Sequence, residues 1–271
     1  MALHDAYARR TPFEVAFPDP APVEALEQEI AREVEARGVE PSEPALFVTM
    51  RAVAAFLEHL GEGEAQRGSG HRFGPLVFHA IHHRAAGSPV YLLETALVRH
   101  LVDQAPAGAA APPSRSGYVQ LPQHLLWVGA EGEGVPESLD GVFWTVSASG
   151  VLHLLPITGM RPDRPGFGML PMPEPPLDDA QQWLAATMRD GGEDFASVLP
   201  GADVDGLYAV ETAGEILKLV ARFFAYADGT PGALRGEEPG GRGSGGDDAP
   251  RGSFPTPPAS ALPYVRVTWA A

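Results

Sequence analysis

Few side chains in this sequence have the type and spacing for chemistry, and histidines lead them. Phe78-His79-Ala80-Ile81-His82-His83 sets His79 and His83 four residues apart. That spacing turns two imidazoles to one helix face and lets them reach one metal ion. Glu58-His59 on the second expected helix and Glu94 or His100 on the fourth could complete such a site. The signature is incomplete: there is no H-E-x-x-H and no E-x-x-H for a di-iron bundle. No metal or other cofactor is predicted, and a surface or partly buried histidine cluster is the commoner reading.

A second candidate is His153, with Asp140 or Glu137 as the carboxylate that would make it a general base. No serine occupies a G-x-S-x-G elbow and cysteine is absent, so no hydrolytic nucleophile stands out. Pro136-Glu137-Ser138-Leu139-Asp140-Gly141 also reads as turn chemistry ahead of a strand. The third candidate is the loop 158–168, where Arg161 and Arg164 between stiffening prolines would hold an anion, or would pair with Asp163. It matches neither a P-loop nor a dinucleotide fingerprint. Trp144 is the candidate wall of a ligand site; with Trp127, Phe143 and Phe167 it reads more often as core between sheet and helices.

These residues need elements to position them. Val23, Leu26, Ile30 and Val34 recur at helical spacing up to Gly38, a C′ stop, and a second helix runs from Ser42 to Gly61. A third covers roughly 75–84. A fourth begins at Ser88-Pro89 and carries Leu92, Leu93, Leu97 and Leu101. Residues 1–105 thus read as a helical region. From 106 to 228 the expectation is an α+β core with a mainly antiparallel sheet over 117–172 and helices over 178–228, the longest from 205 to 227. The clearest hairpin joins 142–147 to 150–155. With Ala148-Ser149 as its two-residue loop, Trp144 faces His153 and both lie on one sheet face. Residues 229–258 are glycine- and proline-rich and read as a flexible linker. The alternating strand 264–269 then returns to the sheet or adds to a second copy, giving a homo-oligomer.

The fold class is therefore α+β, with a helical N-terminal region, a central sheet, C-terminal helices and a last strand that comes back after a linker. Its 271 residues carry 35 acids, 19 Lys and Arg, and a net charge of −16. That balance argues against nucleic acid and anionic membrane as partners. It favours a basic protein partner, met by the acidic segments 24–35, 178–194 and 203–215. The absence of cysteine removes disulfides and thiolate chemistry, and the N-terminus lacks a secretory h-region, so a soluble cytoplasmic protein is expected. The functional expectation is an acidic protein-binding module of inhibitor, immunity or adaptor type. An enzyme or small-ligand protein, with its site near 142–168, is the alternative.

Overall fold

The computed structural model describes residues 70–103, 110–122, 124–129, 136–147, 150–159, 168–170, 172, 208–210, 213–237 and 264–267, with six positions between 25 and 38. At those six the first helix is as read: Ala25, Gln28, Arg32, Glu35 and Ala36 are helical. Gly38, at φ +60°, bonds its N–H to the Glu35 carbonyl at 3.2 Å and ends the helix in the left-handed form that glycine tolerates. The expected helices at 42–61 and 178–191 lie outside the described residues.

Helix α1 spans Gly70–Ala85, where a helix was expected. Its end differs from expectation. Ser88 is not an N-cap: it follows Gly87 at φ +55° and bonds its N–H back to the His83 carbonyl at 2.8 Å, so it closes α1. Pro89 then leads into strand β1, Val90–Leu93. The four apolar residues Val-Tyr-Leu-Leu suit helix or strand, and all four are buried between neighbouring strands, which decides for strand. Helix α2, Thr95–Asp103, is the remainder of the expected fourth helix. It forms the crossover to β2, Ser116–Gln120, which pairs parallel to β1.

The sheet continues with β3, Leu126–Val128, β4, Glu137–Val146, β5, Leu152–Thr158, and β6, Gly168–Met169. Further along the chain come β7, Tyr208–Val210, helix α3, Ala213–Gly229, and strands β8, Leu234–Glu237, and β9, Tyr264–Val267. The order is β6-β5-β4-β2-β1-β9-β8, with β3 pairing β4 and β7. Antiparallel ladders join β2 to β4, β3 to β4, β4 to β5, β5 to β6 and β8 to β9. Those of β1 with β2, β1 with β9 and β3 with β7 are parallel. The sheet is mixed, and the parallel share went unforeseen because β1 and β7 fall inside segments read as helix.

Two further corrections follow from the C-terminal part. Strand β8 occupies 234–237, inside the segment read as linker. Strand β9 does return to the sheet, and does so between β1 and β8, so its two hydrogen-bonding edges are both taken within the chain. Addition of 264–267 to a second copy has no free edge to use.

The sheet is covered on both faces. On one, Trp144 is fully buried against Tyr91, Phe223 and Phe224, at ring-centroid distances of 5.4, 5.9 and 5.3 Å, beneath α2 and α3. On the other, Phe143 meets His79 and His83 of α1. Gly117 leaves room for the indole; a Cβ there would fall 2.3 Å from the Trp144 ring. Arg222 of α3 ties the two helices of the first face together. Its buried Nη1 donates to the Leu101 and Val102 carbonyls at 2.9 and 2.8 Å, satisfying two acceptors that the end of α2 leaves open and placing a cation at its negative end. Arg222→Met keeps the aliphatic bulk but strips both carbonyls of their donor. We expect it to cost about 2–4 kcal/mol in urea unfolding, whereas Arg235→Met, on an exposed residue of β8, should stay within about 0.5 kcal/mol.

Candidate histidine site

The β4–β5 register decides which candidate residues meet. The ladder pairs Thr145 with His153, Trp144 with Leu154 and Val146 with Leu152. The expected Trp144–His153 pairing is off by one residue. The reason lies in the turn: the Ser147 N–H bonds the Val151 carbonyl at 2.9 Å, and Gly150 sits at φ +85° inside the loop. The connection therefore has three residues with a left-handed glycine last, the geometry of a bulged turn, rather than two. A one-residue slip sends alternate side chains to the opposite face. Trp144 accordingly belongs to the α3 face, with its indole N–H donating to the Ser114 carbonyl at 3.0 Å, and His153 belongs to the α1 face.

Asp140 separates from His153 as well. It lies five residues from Thr145 along β4, about 17 Å at roughly 3.4 Å per residue. There it accepts the Ser138 hydroxyl at 3.0 Å. Burial, and then the Asp140 carboxylate, push the Tyr118 phenol well above its ordinary range. The expected His153–Asp140 acid–base pair is therefore not assembled. Arg161 and Arg164 lie outside the described residues.

What the fold does bring together is histidine. His79, His82 and His83 descend from α1 towards β4 and β5, and Phe78 lies edge-on to His79, His82 and His153, at 5.2, 4.6 and 5.2 Å between centroids. His79 stacks on Phe143 at 6.0 Å, and His83 meets the same ring edge-on at 5.6 Å. The i, i+4 pair is thus real, but it straddles an aromatic ring.

The hydrogen bonds fix the proton positions. The Ser116 hydroxyl donates to the Trp144 carbonyl at 2.9 Å, which uses its only proton. Its 3.0 Å contact with Thr145 must then be donated by Thr145, and the 3.0 Å contact of Thr145 with His79 by His79 Nδ1–H. His79 is the Nδ1–H tautomer at the head of a one-way chain through Thr145 and Ser116 to the Trp144 carbonyl. His83 is fixed oppositely, since its Nε2–H donates to the Pro89 carbonyl at 3.0 Å and is unavailable as a ligand. His153 Nε2 is buried with no hydrogen-bond partner.

All four rings are held neutral. Burial, and then His153, His82 and His83, keep His79 well below the usual histidine value. Burial, then Arg115 and His153, push His82 down to about 4. His83 also falls to about 4: burial outweighs the bond to Pro89, and Arg84 adds to the lowering. Burial alone lowers His153. Among the described residues no three His, Asp or Glu side chains converge in a geometry able to hold a metal ion. The arrangement stores four neutral imidazoles in an aromatic layer, three of them buried and His82 half-buried at its rim.

Sequence reasoning found His79, His83 and His153 separately. It missed His82 as a member, and missed Thr145 and Ser116 altogether. No spacing rule marks those two hydroxyls, because they meet His79 only through strand pairing. Thr145→Val preserves shape and breaks the chain, leaving His79 Nδ1–H buried without an acceptor. A loss of about 1–3 kcal/mol in chemical denaturation is expected. Nitrogen chemical shifts of His79 in the parent protein should show the Nδ1–H form at pH 7.

No protein-family model matches the chain, and no curated protein sequence matches it. Among solved structures the chain is similar to the crystal structure of AcrVA2, at 14% identity and a TM-score of 0.39, over 93% of this chain and 81% of that one. A likeness of that size fixes neither fold nor function.

Proposed function

We propose that this chain works by protein contact, presenting acidic segments to a basic partner in the manner of an inhibitor or adaptor. The supporting observation is where the charge resides. The described residues hold eight acids and nine Lys or Arg, whereas the whole chain holds 35 and 19. The described strands and α1, α2 and α3 are thus close to neutral, and the remaining residues carry 27 acids against ten Lys or Arg, chiefly over 24–33, 178–194 and 203–211. A concentrated negative field speeds encounter with a basic protein and repels nucleic acid and anionic lipid. The enzymatic alternative builds its site from His153, Trp144, Arg161 and Arg164, with His79 or His83; His153 and Trp144 occupy opposite faces of the sheet, and the two arginines lie outside the described residues. Among the described residues no helix is long and apolar enough to cross a membrane.

Native mass spectrometry of untagged protein from its own host tests this reading. A co-purifying basic protein is expected, released as salt rises to about 0.5 M because the attraction is screened within a few ångströms there. Replacing Glu24, Glu27, Glu29, Glu33 and Glu35 with glutamine should weaken its binding at least about tenfold, as five pairs of a few tenths to 1 kcal/mol each would. A partner of acidic or neutral charge, or binding indifferent to both salt and the five substitutions, overturns it.

A further inference from the structure

We propose that the interface between α1 and the sheet is an acid-released latch: His79, His82, His83 and His153, layered around Phe78 and Phe143, hold the helix on the sheet while neutral and detach it when they take up protons. The geometry concentrates the effect. Three of the four histidines lie on one helix, two of them four residues apart and fully within the interface, and the fourth comes from the strand beneath. Each is within ring contact of Phe78 or Phe143; a charge on the buried His79, His83 or His153 would face aromatic surface instead of water, and His82 packs on Phe78 at the rim. His79 and His83 already donate one proton each to fixed acceptors, and the second nitrogen of each would need a further acceptor after protonation.

Among the described residues no carboxylate acts on these rings as a compensating charge. From α1 the charged neighbour is Arg84, and from the loop entering β2 it is Arg115, both cations that oppose a further positive charge. Strand β2 contributes Tyr118, a neutral phenol. Strand β4 contributes Asp140, which turns to Ser138 and Tyr118, and Glu137, which accepts the Thr158 hydroxyl at 2.7 Å at the far end of the strand. Strand β5 contributes His153 itself, and the ionisable group of β1, Tyr91, lies on the other face against Trp144 and Phe223.

The sign follows directly. A histidine whose folded value lies below its unfolded 6.5 binds more protons when released, so the docked state is fully favoured above about pH 6.5 and loses ground as pH falls towards about 4. Four groups act together in that window. Among the described residues the opposite face holds no buried histidine: its core is Leu97, Leu101, Trp144, Phe223 and Phe224, the buried ionisable residues of α3 are Glu215, Lys218 and Arg222, and His100 lies at the margin against Tyr226. Acid should therefore free one layer and leave the other packed. This latch is independent of whatever the acidic segments bind.

Hydrogen exchange of the full chain between pH 7 and pH 4, corrected for the pH dependence of intrinsic exchange, tests the latch. Peptides from 75–85 should lose at least about tenfold in protection across the window while those from 216–226 keep theirs. The double variant His79→Phe, His153→Phe should move the midpoint for 75–85 down by about half a pH unit or more. If that variant has lost protection over 216–226 at pH 7, His82→Gln, on the half-buried ring at the rim, is used in its place, and the same downward shift is expected. A single common midpoint for both helices, or a midpoint indifferent to the histidine substitutions, overturns the proposal.

Discussion

Strand β4 is buried without a break from Ser138 to Thr145. Successive side chains of a strand point to opposite faces, so eight buried residues in a row require both faces of the sheet to be covered. The rest of the architecture answers that requirement. Trp144 and Phe143, neighbours in sequence, become the centres of two separate layers, one closed by α2 and α3 and the other by α1. Gly117 and Gly141 clear the ground between adjacent strands, since a Cβ on the first would strike the Trp144 ring and one on the second the Tyr118 hydroxyl and the Val119 carbonyl. Cutting either aromatic back would open a void in one layer while the other stayed filled.

The same constraint explains which parts of the fold were legible in advance. Strands β2, β3, β5, β6 and the second half of β4 read as β-branched and aromatic runs between turn residues, and α1 and the body of α3 as helical periodicities; Glu137–Gly141, read as turn chemistry, is instead the first half of β4, held by its pairing with β3 and β2. The errors fall where local pattern was ambiguous and a tertiary neighbour decided. Val90–Leu93 satisfies a helical stripe, yet it is flanked by β2 and β9 and becomes a strand. Tyr208–Val210 was absorbed into the helix behind it, yet it pairs with β3. Leu234–Glu237 sits in a glycine-rich run with almost no apolar residue of its own, and it is a strand because β9 comes back to pair with it. In each case the deciding contact is remote in sequence.

The site was half legible for a related reason. Spacing on a helix is readable, so the His79–His83 pair was visible. Its meaning was not, because that depends on Phe143 standing between the rings and on a hydroxyl chain supplied by two other strands. The hairpin error is the more instructive. A turn of two residues or three is a small difference in sequence, yet it exchanges the faces of Trp144 and His153 and so turns an apparent catalytic pairing into two unrelated packing roles. Gly150 was the signal, since a glycine at the end of a hairpin loop is what a bulged turn uses.

Charge and histidine burial also bear on each other. Carboxylates have ordinary values near 3.9 and 4.3, whereas an exposed histidine titrates near 6.5. Below about pH 6.5 the buried histidines increasingly favour release. The net charge of −16 sharpens that tendency, because a histidine freed into a negatively charged chain holds its proton at least as tightly as one in a neutral peptide. The gap between docked and released states is therefore set from both sides: aromatic burial with nearby arginines lowers the docked values, and the acidic chain supports the released ones.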